Sequence, residues 1–309
     1  MAITAIMPIP PSGRQYPISH ADQAAVVTEV GAGLRTYVRG DWTVLDGYRE
    51  DEMCRAARGA ALIPWPNRLQ DGHYEFGGEA FTVPLSEPER HNAIHGLTRW
   101  LNWEARRHRG NEVVMGLVLH PREGYPFTLD LEIAYRLDES GLQVSTTARN
   151  LGDRPLPFGT GHHPYVRVGT EAVDQAWLRL PAGTRLETDV RQNATGRRIE
   201  VAGTPYDFRS GRPIGDLPLD TAFADLDRDP DGRARIVVRG EPWQLTLWLD
   251  AAYAYLMVFT GDSLPAPERR RSLGLEPMTC GPNAFRLPHL GLVSLDPGER
   301  FQGSWGLTL

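Results

Sequence analysis

Residues 128–148 read TLDLEIAYRLDESGLQVSTTA. Apolar side chains recur at every second position on both sides of Asp138-Glu-Ser-Gly141, a run of turn-forming residues. An alternation of period two puts one face of a strand in a core and the other in water. The stretch therefore reads as two antiparallel strands, Thr128–Leu137 and Leu142–Ala148, joined by a tight turn.

The same signal extends outward from this pair. Val113–Leu119 precedes it across a turn at Arg122-Glu-Gly124, and His73–Phe76 with Ala80–Val83 reads as a hairpin across Gly77-Gly78. Upstream, Ala25–Val30, Leu34–Val38 and Trp42–Leu45 are short β-branched runs separated by glycines. Downstream, Trp177–Leu180, Thr184–Glu187, Ile236–Val238, Gln244–Leu249, Ala254–Phe259, Ser294-Leu295 and Ser304–Leu309 repeat the pattern, after and around a polar, Gly/Pro-rich section ending near Leu219. No long helical period, internal repeat or low-complexity tract interrupts it. Many short strands with frequent turns give an all-β fold, a large sandwich or barrel, read as one domain over residues 1–309.

Composition narrows the function. The chain has 309 residues, 41% hydrophobic and 23% charged, with a net charge of −6. That balance suits a sizeable core and argues against nucleic acid or an anionic membrane as the main partner. No apolar run is long enough for a transmembrane helix. The first eight residues, MAITAIMP, lack a basic start and do not read as a signal peptide, so a cytoplasmic location is expected. Cys54 and Cys280 make neither a disulfide framework nor a structural zinc site. All 33 cationic residues are arginine. Without lysine, Schiff-base aldolases, pyridoxal-phosphate enzymes and Walker-type ATPases are excluded.

Five polar residues sit in motifs too elaborate for plain turns. Arg68 lies in PWPNRLQDG, His95 in NAIHGLTRW, His163 in GTGHHPYVRV, Asp220 in PLDTAF and Glu276 in LGLEPMTCGPNAF. Each also has a plain structural role open to it. Arg68 can cap a turn or pair with a surface carboxylate, His95 can be a buried histidine satisfied by backbone, and Asp220 can make an Asx turn or helix N-cap. Glu276 reads as ending a buried strand, where a carboxylate is costly without a partner. In the extended segment around Gly161–Tyr165, successive side chains point to opposite faces, so only one of His162 and His163 can enter a given pocket.

Taken together and in order, these motifs resemble the aldose 1-epimerase (galactose mutarotase) family from about Gly31 to the C-terminus. NRLQDGHYEFGGEAF through NAIHG is similar to the family's asparagine-arginine, hairpin and histidine-glycine stretch. HPY, PLDTAF and LEPMTCGPNAF are similar to its histidine-proline-tyrosine, aspartate and glutamate-proline segments. The resemblance implies a galactose mutarotase-like supersandwich with Glu276 as general base and His163 as general acid. It also implies that Arg68, His95 and Asp220 bind sugar hydroxyls, and it leaves His162 structural. GLEPMTCGPNAF is the form of a more divergent bacterial branch whose members include some assigned to sugars other than galactose.

Those residue types fit anomer interconversion on chemical grounds. A base takes the proton of the C1 hydroxyl, an acid protonates the ring oxygen, and the open aldehyde recloses after rotation about C1–C2. A carboxylate and an imidazolium on opposite sides of one sugar ring suffice, with no metal or organic cofactor. Trp65, Trp100, Tyr165 and Phe223 are candidates for an apolar wall under the sugar. Arg99, close to His95, can pair with a phosphorylated or sulfonated sugar such as a sugar 6-phosphate or sulfoquinovose. Three other readings are weaker. A metal site of His95, His163 and Glu276 lacks chelating spacing, and an Asp220/Glu276 glycosidase pair leaves His163 idle. A carbohydrate-binding module without chemistry needs neither Glu276 nor His163 in its motif.

Overall fold

In the computed structural model, which describes residues 9–309, strands dominate and the helices are three single 3-10 turns. The first eight residues, read above as lacking a signal sequence, lie outside the described part. The two strands that opened the reading pair antiparallel from Leu129 opposite Asn150 to Asp138 opposite Gly141. Leu129, Leu131, Ile133, Tyr135 and Leu137 are all buried while the residues between them are not, as the alternation requires.

These strands lie within a nine-stranded antiparallel sheet. Its order is Glu104–Arg109, Glu112–Leu119, Leu129–Asp138, Gly141–Asn150, Arg300–Thr308, Gln244–Leu249, Ala234–Arg239, Trp177–Arg179 and Arg212–Pro213. A second sheet of eight strands runs Ala194–Glu200, Ala182–Thr188, Asp220–Leu226, Tyr255–Phe259, Leu273–Met278, Gly161–His162 and Ala61–Leu62, with Tyr165–Val166 also paired to Leu273–Met278. The main core contains Tyr135, Val144, Leu247 and Leu307 from the first sheet and Ala61, Phe223, Leu256, Val258 and Leu275 from the second. The fold is the all-β sandwich expected. Gln15–His20, Gln23–Thr28, Leu34–Arg39 and Trp42–Thr43 make a separate four-stranded sheet.

The second sheet positions the site by alternation. Phe223 and Leu275 point into the main core, so Asp220, an odd number of positions from Phe223, and Glu276, the neighbour of Leu275, belong to the opposite face. Glu276 is the fourth of six buried residues of its strand and pairs with Met257, so it lies within the strand and does not end it. Asp220 opens a strand opposite Phe259 and caps no helix.

Candidate active site

On that outer face lies a cleft of about 630 Å³, lined by Arg68, Glu87, His95, Arg99, His163, Asp220 and Glu276 among others. All six residues singled out by sequence meet there, although they are spread from position 68 to 276.

Alternation separates the histidine pair. His162 is buried, with its Nε2 2.9 Å from Thr146 Oγ1 on the other sheet and its ring 5.3 Å from that of Trp305. His163 takes the opposite face. Its Nε2 lies 3.2 Å from Glu276 Oε1, and its ring is stacked on Tyr165, two residues on, at 4.9 Å and 13°. Backbone bonds fix it on both sides: His163 N–H donates to Ala60, and Gly59 N–H donates to the His163 carbonyl.

Arg68 and His95 arrive as a unit. Arg68–Gln70 pairs antiparallel with Asn92–Ile94, bringing Arg68 opposite Ile94 and next to His95. His95 is held with φ +64° and its N–H donates to the Asn67 carbonyl. Gly96 follows at φ +68°, where a Cβ would lie 2.1 Å from the Ile63 carbonyl oxygen, so only glycine fits. Asn67 N–H donates to His95 Nδ1 at 3.2 Å. In the neutral ring the other nitrogen, Nε2, then carries the proton and can donate.

Burial sets the charges. Glu276 is 2% exposed and His163 5%. Burial, reinforced by Asp220 and opposed by Arg68, holds the Glu276 carboxyl well above the usual carboxylate range. Burial, with Arg99 adding to it, lowers His163 to about 3. His95 is pushed well below its ordinary value, first by burial and then by His163. Each effect disfavours charge and favours a carboxylic acid beside a neutral imidazole. This differs from the expected carboxylate and imidazolium facing each other across a ring: the two groups are in direct contact. The geometry suits geminal oxygens, because the C1 hydroxyl and ring oxygen of a sugar are bonded to the same carbon. Within the protein, Glu276 Oε2 and His163 Nδ1 have no hydrogen-bond partner.

Sequence reasoning missed Glu87. It is 9% exposed, and its carboxylate takes Arg68 Nε at 2.9 Å and Arg68 Nη2 at 3.0 Å. Nη1 of Arg68 is 3.7 Å from Asp220. The charged segment SEPERHN offered no motif, and only a buried guanidinium's need for a counter-charge would have prompted a search. The apolar wall also changes. Trp100 and Tyr165 line the cleft together with Phe259 and Leu264. Trp65 packs edge-on against Phe285 and Phe223 is fully buried in the core, so neither belongs to the wall. No group of three or more His, Cys, Asp or Glu side chains suited to a metal ion occurs among the described residues. Nor does any helix there have the length and apolarity to cross a membrane.

Comparison with known proteins extends this picture. Residues 14–308 match the family model described as aldose 1-epimerase. The uncharacterized protein YihR of Escherichia coli K12 is 29% identical over 289 residues, covering 93% of this chain and 91% of YihR. The aldose 1-epimerase of the same organism is 29% identical over 162 residues, 50% of this chain and 46% of that protein. Among solved structures, the GalM/aldose epimerase homologue from C. elegans superposes with a TM-score of 0.85 at 20% identity, covering 96% of this chain and 98% of that one. Galactose 1-epimerase from Lactobacillus acidophilus NCFM gives 0.80 at 21% identity, covering 94% and 92%.

Proposed function

Because the chain belongs to the aldose 1-epimerase family, we propose that it is an isomerase that interconverts the α and β anomers of a hexose. The carrying observation is the 3.2 Å contact between His163 Nε2 and Glu276 Oε1 at the floor of a cleft bearing Arg68, His95 and Asp220.

The pair holds one proton throughout. With Glu276 as carboxylate and His163 as imidazolium, Glu276 takes the C1 hydroxyl proton while His163 gives its proton to the ring oxygen. The C1–ring oxygen bond breaks, its electrons pass to that oxygen, and the C1–O1 bond becomes a carbonyl. Glu276 is now an acid and His163 neutral. That is the state burial favours, so the site stabilises the protonation that accompanies the open aldehyde. Rotation about C1–C2 and the reverse transfers close the other anomer and restore both groups. Arg68, His95 through its Nε2 proton, and Asp220 hold sugar hydroxyls and keep C1 over the pair.

The test is anomer exchange followed by NMR with saturation of the α signal. Glu276→Gln and His163→Asn are each expected to lose roughly 10²–10⁴-fold in catalysed exchange while remaining folded. Near-wild-type exchange in either variant would remove that residue from the mechanism.

One observation favours a second reading of the substrate. Arg99 lines the cleft, yet its guanidinium is in no ion pair among the described residues and only stacks over Trp100 at 5.5 Å. An uncompensated cation of this kind suits a sugar carrying a phosphate or sulfonate. Comparing glucose, galactose, glucose 6-phosphate and sulfoquinovose, with and without Arg99→Gln, decides between them. A neutral sugar preferred more than tenfold by the wild type would eliminate the anionic reading. Sugar binding without accelerated exchange of any aldose would instead leave a binding module.

A further inference from the structure

Glu87 lines one wall of the cleft as a largely buried side chain, and nothing in the acid–base scheme uses it. Its carboxylate receives Arg68 Nε on both oxygens, at 2.9 and 3.2 Å, and Arg68 Nη2 at 3.0 Å. Asn92 Nδ2 donates to it at 3.2 Å, and Arg90 Nε approaches to 3.6 Å. The backbone is equally committed, since Asn92 N–H donates to the Glu87 carbonyl and Glu87 N–H to that of Asn92. Two of the three guanidinium nitrogens of Arg68 are therefore committed to Glu87. Only Nη1 is left, and it makes a loose ion pair with Asp220 at 3.7 Å, longer than a hydrogen bond.

We propose that Glu87 is a positioning residue that keeps Arg68 from closing tightly onto Asp220 and Glu276, and so preserves Glu276 as a strong base. The inference rests on the acid–base role given to Glu276 above. A buried guanidinium without a counter-charge is drawn to the nearest carboxylates, and here these are Asp220 and, beyond it, Glu276. Closing onto them would consume the sugar-binding Nη1 and stabilise the Glu276 carboxylate, weakening its hold on a proton. Glu87 prevents both by holding and neutralising Arg68 at its own wall of the cleft. The charged and titratable groups around Glu276 are His163 in contact, Asp220 and Arg68 along the cleft, and Tyr165 beside His163. Of these Arg68 alone is a fixed cation whose position Glu87 controls.

The sign follows. Removing the negative charge of Glu87, and freeing Arg68 to move inward, both favour ionised Glu276. Glu87→Gln keeps the shape and removes the charge, whereas Glu87→Asp keeps the charge. Two readouts apply to each variant: the pH profile of kcat for anomer exchange, corrected for the buffer rate, and the titration of the Glu276 carboxyl by carbon-13 NMR of labelled protein. In Glu87→Gln the carboxyl titration and the alkaline limb of kcat, where the pair loses its one proton, are expected to move to lower pH by half a unit or more. A fall in kcat of at least tenfold accompanies the shift. Glu87→Asp retains the wild-type limb even if its KM rises. Unchanged Glu276 titration in Glu87→Gln overturns the proposal, as does an equal shift in both variants. A wild type that catalyses no exchange refutes the acid–base reading instead, and the NMR titration still decides the link between Glu87 and Glu276.

Discussion

Exchanging each of two adjacent histidines for asparagine is expected to give opposite outcomes. His162 sits between the sheets, bonded to Thr146 at 2.9 Å and packed against Trp305. Asparagine cannot reach Thr146 from the same backbone position, so about 1 kcal/mol is lost with the hydrogen bond. Replacing the ring by a smaller side chain leaves a partial cavity worth another ~1–2 kcal/mol. The sum, about 2–3 kcal/mol, lowers the melting temperature of a chain this size by roughly 3–5 °C. Exchange per folded molecule stays within a few-fold of wild type, because nothing on the cleft face has changed. His163→Asn does the reverse. It removes a ring that stacks on Tyr165 and touches the Glu276 carboxyl, but that ring lines the cleft, so no sealed cavity is left behind, and its Nδ1 has no partner to orphan. Its melting temperature stays within about 2 °C, while exchange falls roughly 10²–10⁴-fold. The assay pairs thermal unfolding followed by circular dichroism with saturation-transfer NMR at a temperature where both variants are folded. Lost activity with an unshifted melting temperature in His162→Asn would refute the division of the pair.

Stability should weaken in acid beyond what surface carboxylates explain. His162 and His163 each have a folded pKa of about 3 against an ordinary value of 6.5. The unfolded chain therefore binds protons that the fold refuses, and stability present above pH 6.5 is lost as pH falls towards 3. Urea titrations at intervals across that window check this, and a flat dependence would show that the imidazoles charge freely in the fold. Glu276 has the opposite sign: its carboxyl is raised in the fold, so the penalty builds as pH climbs from the ordinary carboxylate value of 4.5 towards the raised one, and Glu276→Gln should be the more stable protein at neutral pH. Gly96→Ala forces a Cβ to within 2.1 Å of the Ile63 carbonyl oxygen and displaces the neighbouring His95. Its expected signature is a lower melting temperature together with a raised KM, and an unaltered KM would argue against sugar contact by His95. If residues 1–309 form the one domain we propose, denaturation monitored by fluorescence and circular dichroism gives a single coincident transition.

Legibility in the sequence followed the strength of the local signal. The alternation in Leu129–Leu137 and the Gly77-Gly78 turn were readable because period and turn chemistry are written in consecutive residues. Glu104–Arg109, sequence EARRHR, was not, because this edge strand is largely exposed and carries no apolar face. Ala194–Glu200, ATGRRIE, hid in a polar section for the same reason. At the site, the motif around each residue signalled Arg68, His95, His163, Asp220 and Glu276, and period two divided the histidines. The contact of His163 with Glu276 was not readable, since it depends on which strands become neighbours: Leu273–Met278 pairs with both Gly161–His162 and Tyr165–Val166. Glu87 was illegible for a related reason. Its importance is conferred wholly by Arg68, nineteen residues earlier, through a buried ion pair.

The central claim is that contact between Glu276 and His163 moves one proton back and forth across a hemiacetal. Anomer exchange by saturation-transfer NMR tests it most directly, comparing wild type with Glu276→Gln across neutral and anionic aldoses. The account predicts accelerated exchange for at least one sugar in the wild type, and its loss in the variant while the sugar still binds. Equal exchange rates in the two proteins, for every sugar that binds, would contradict it.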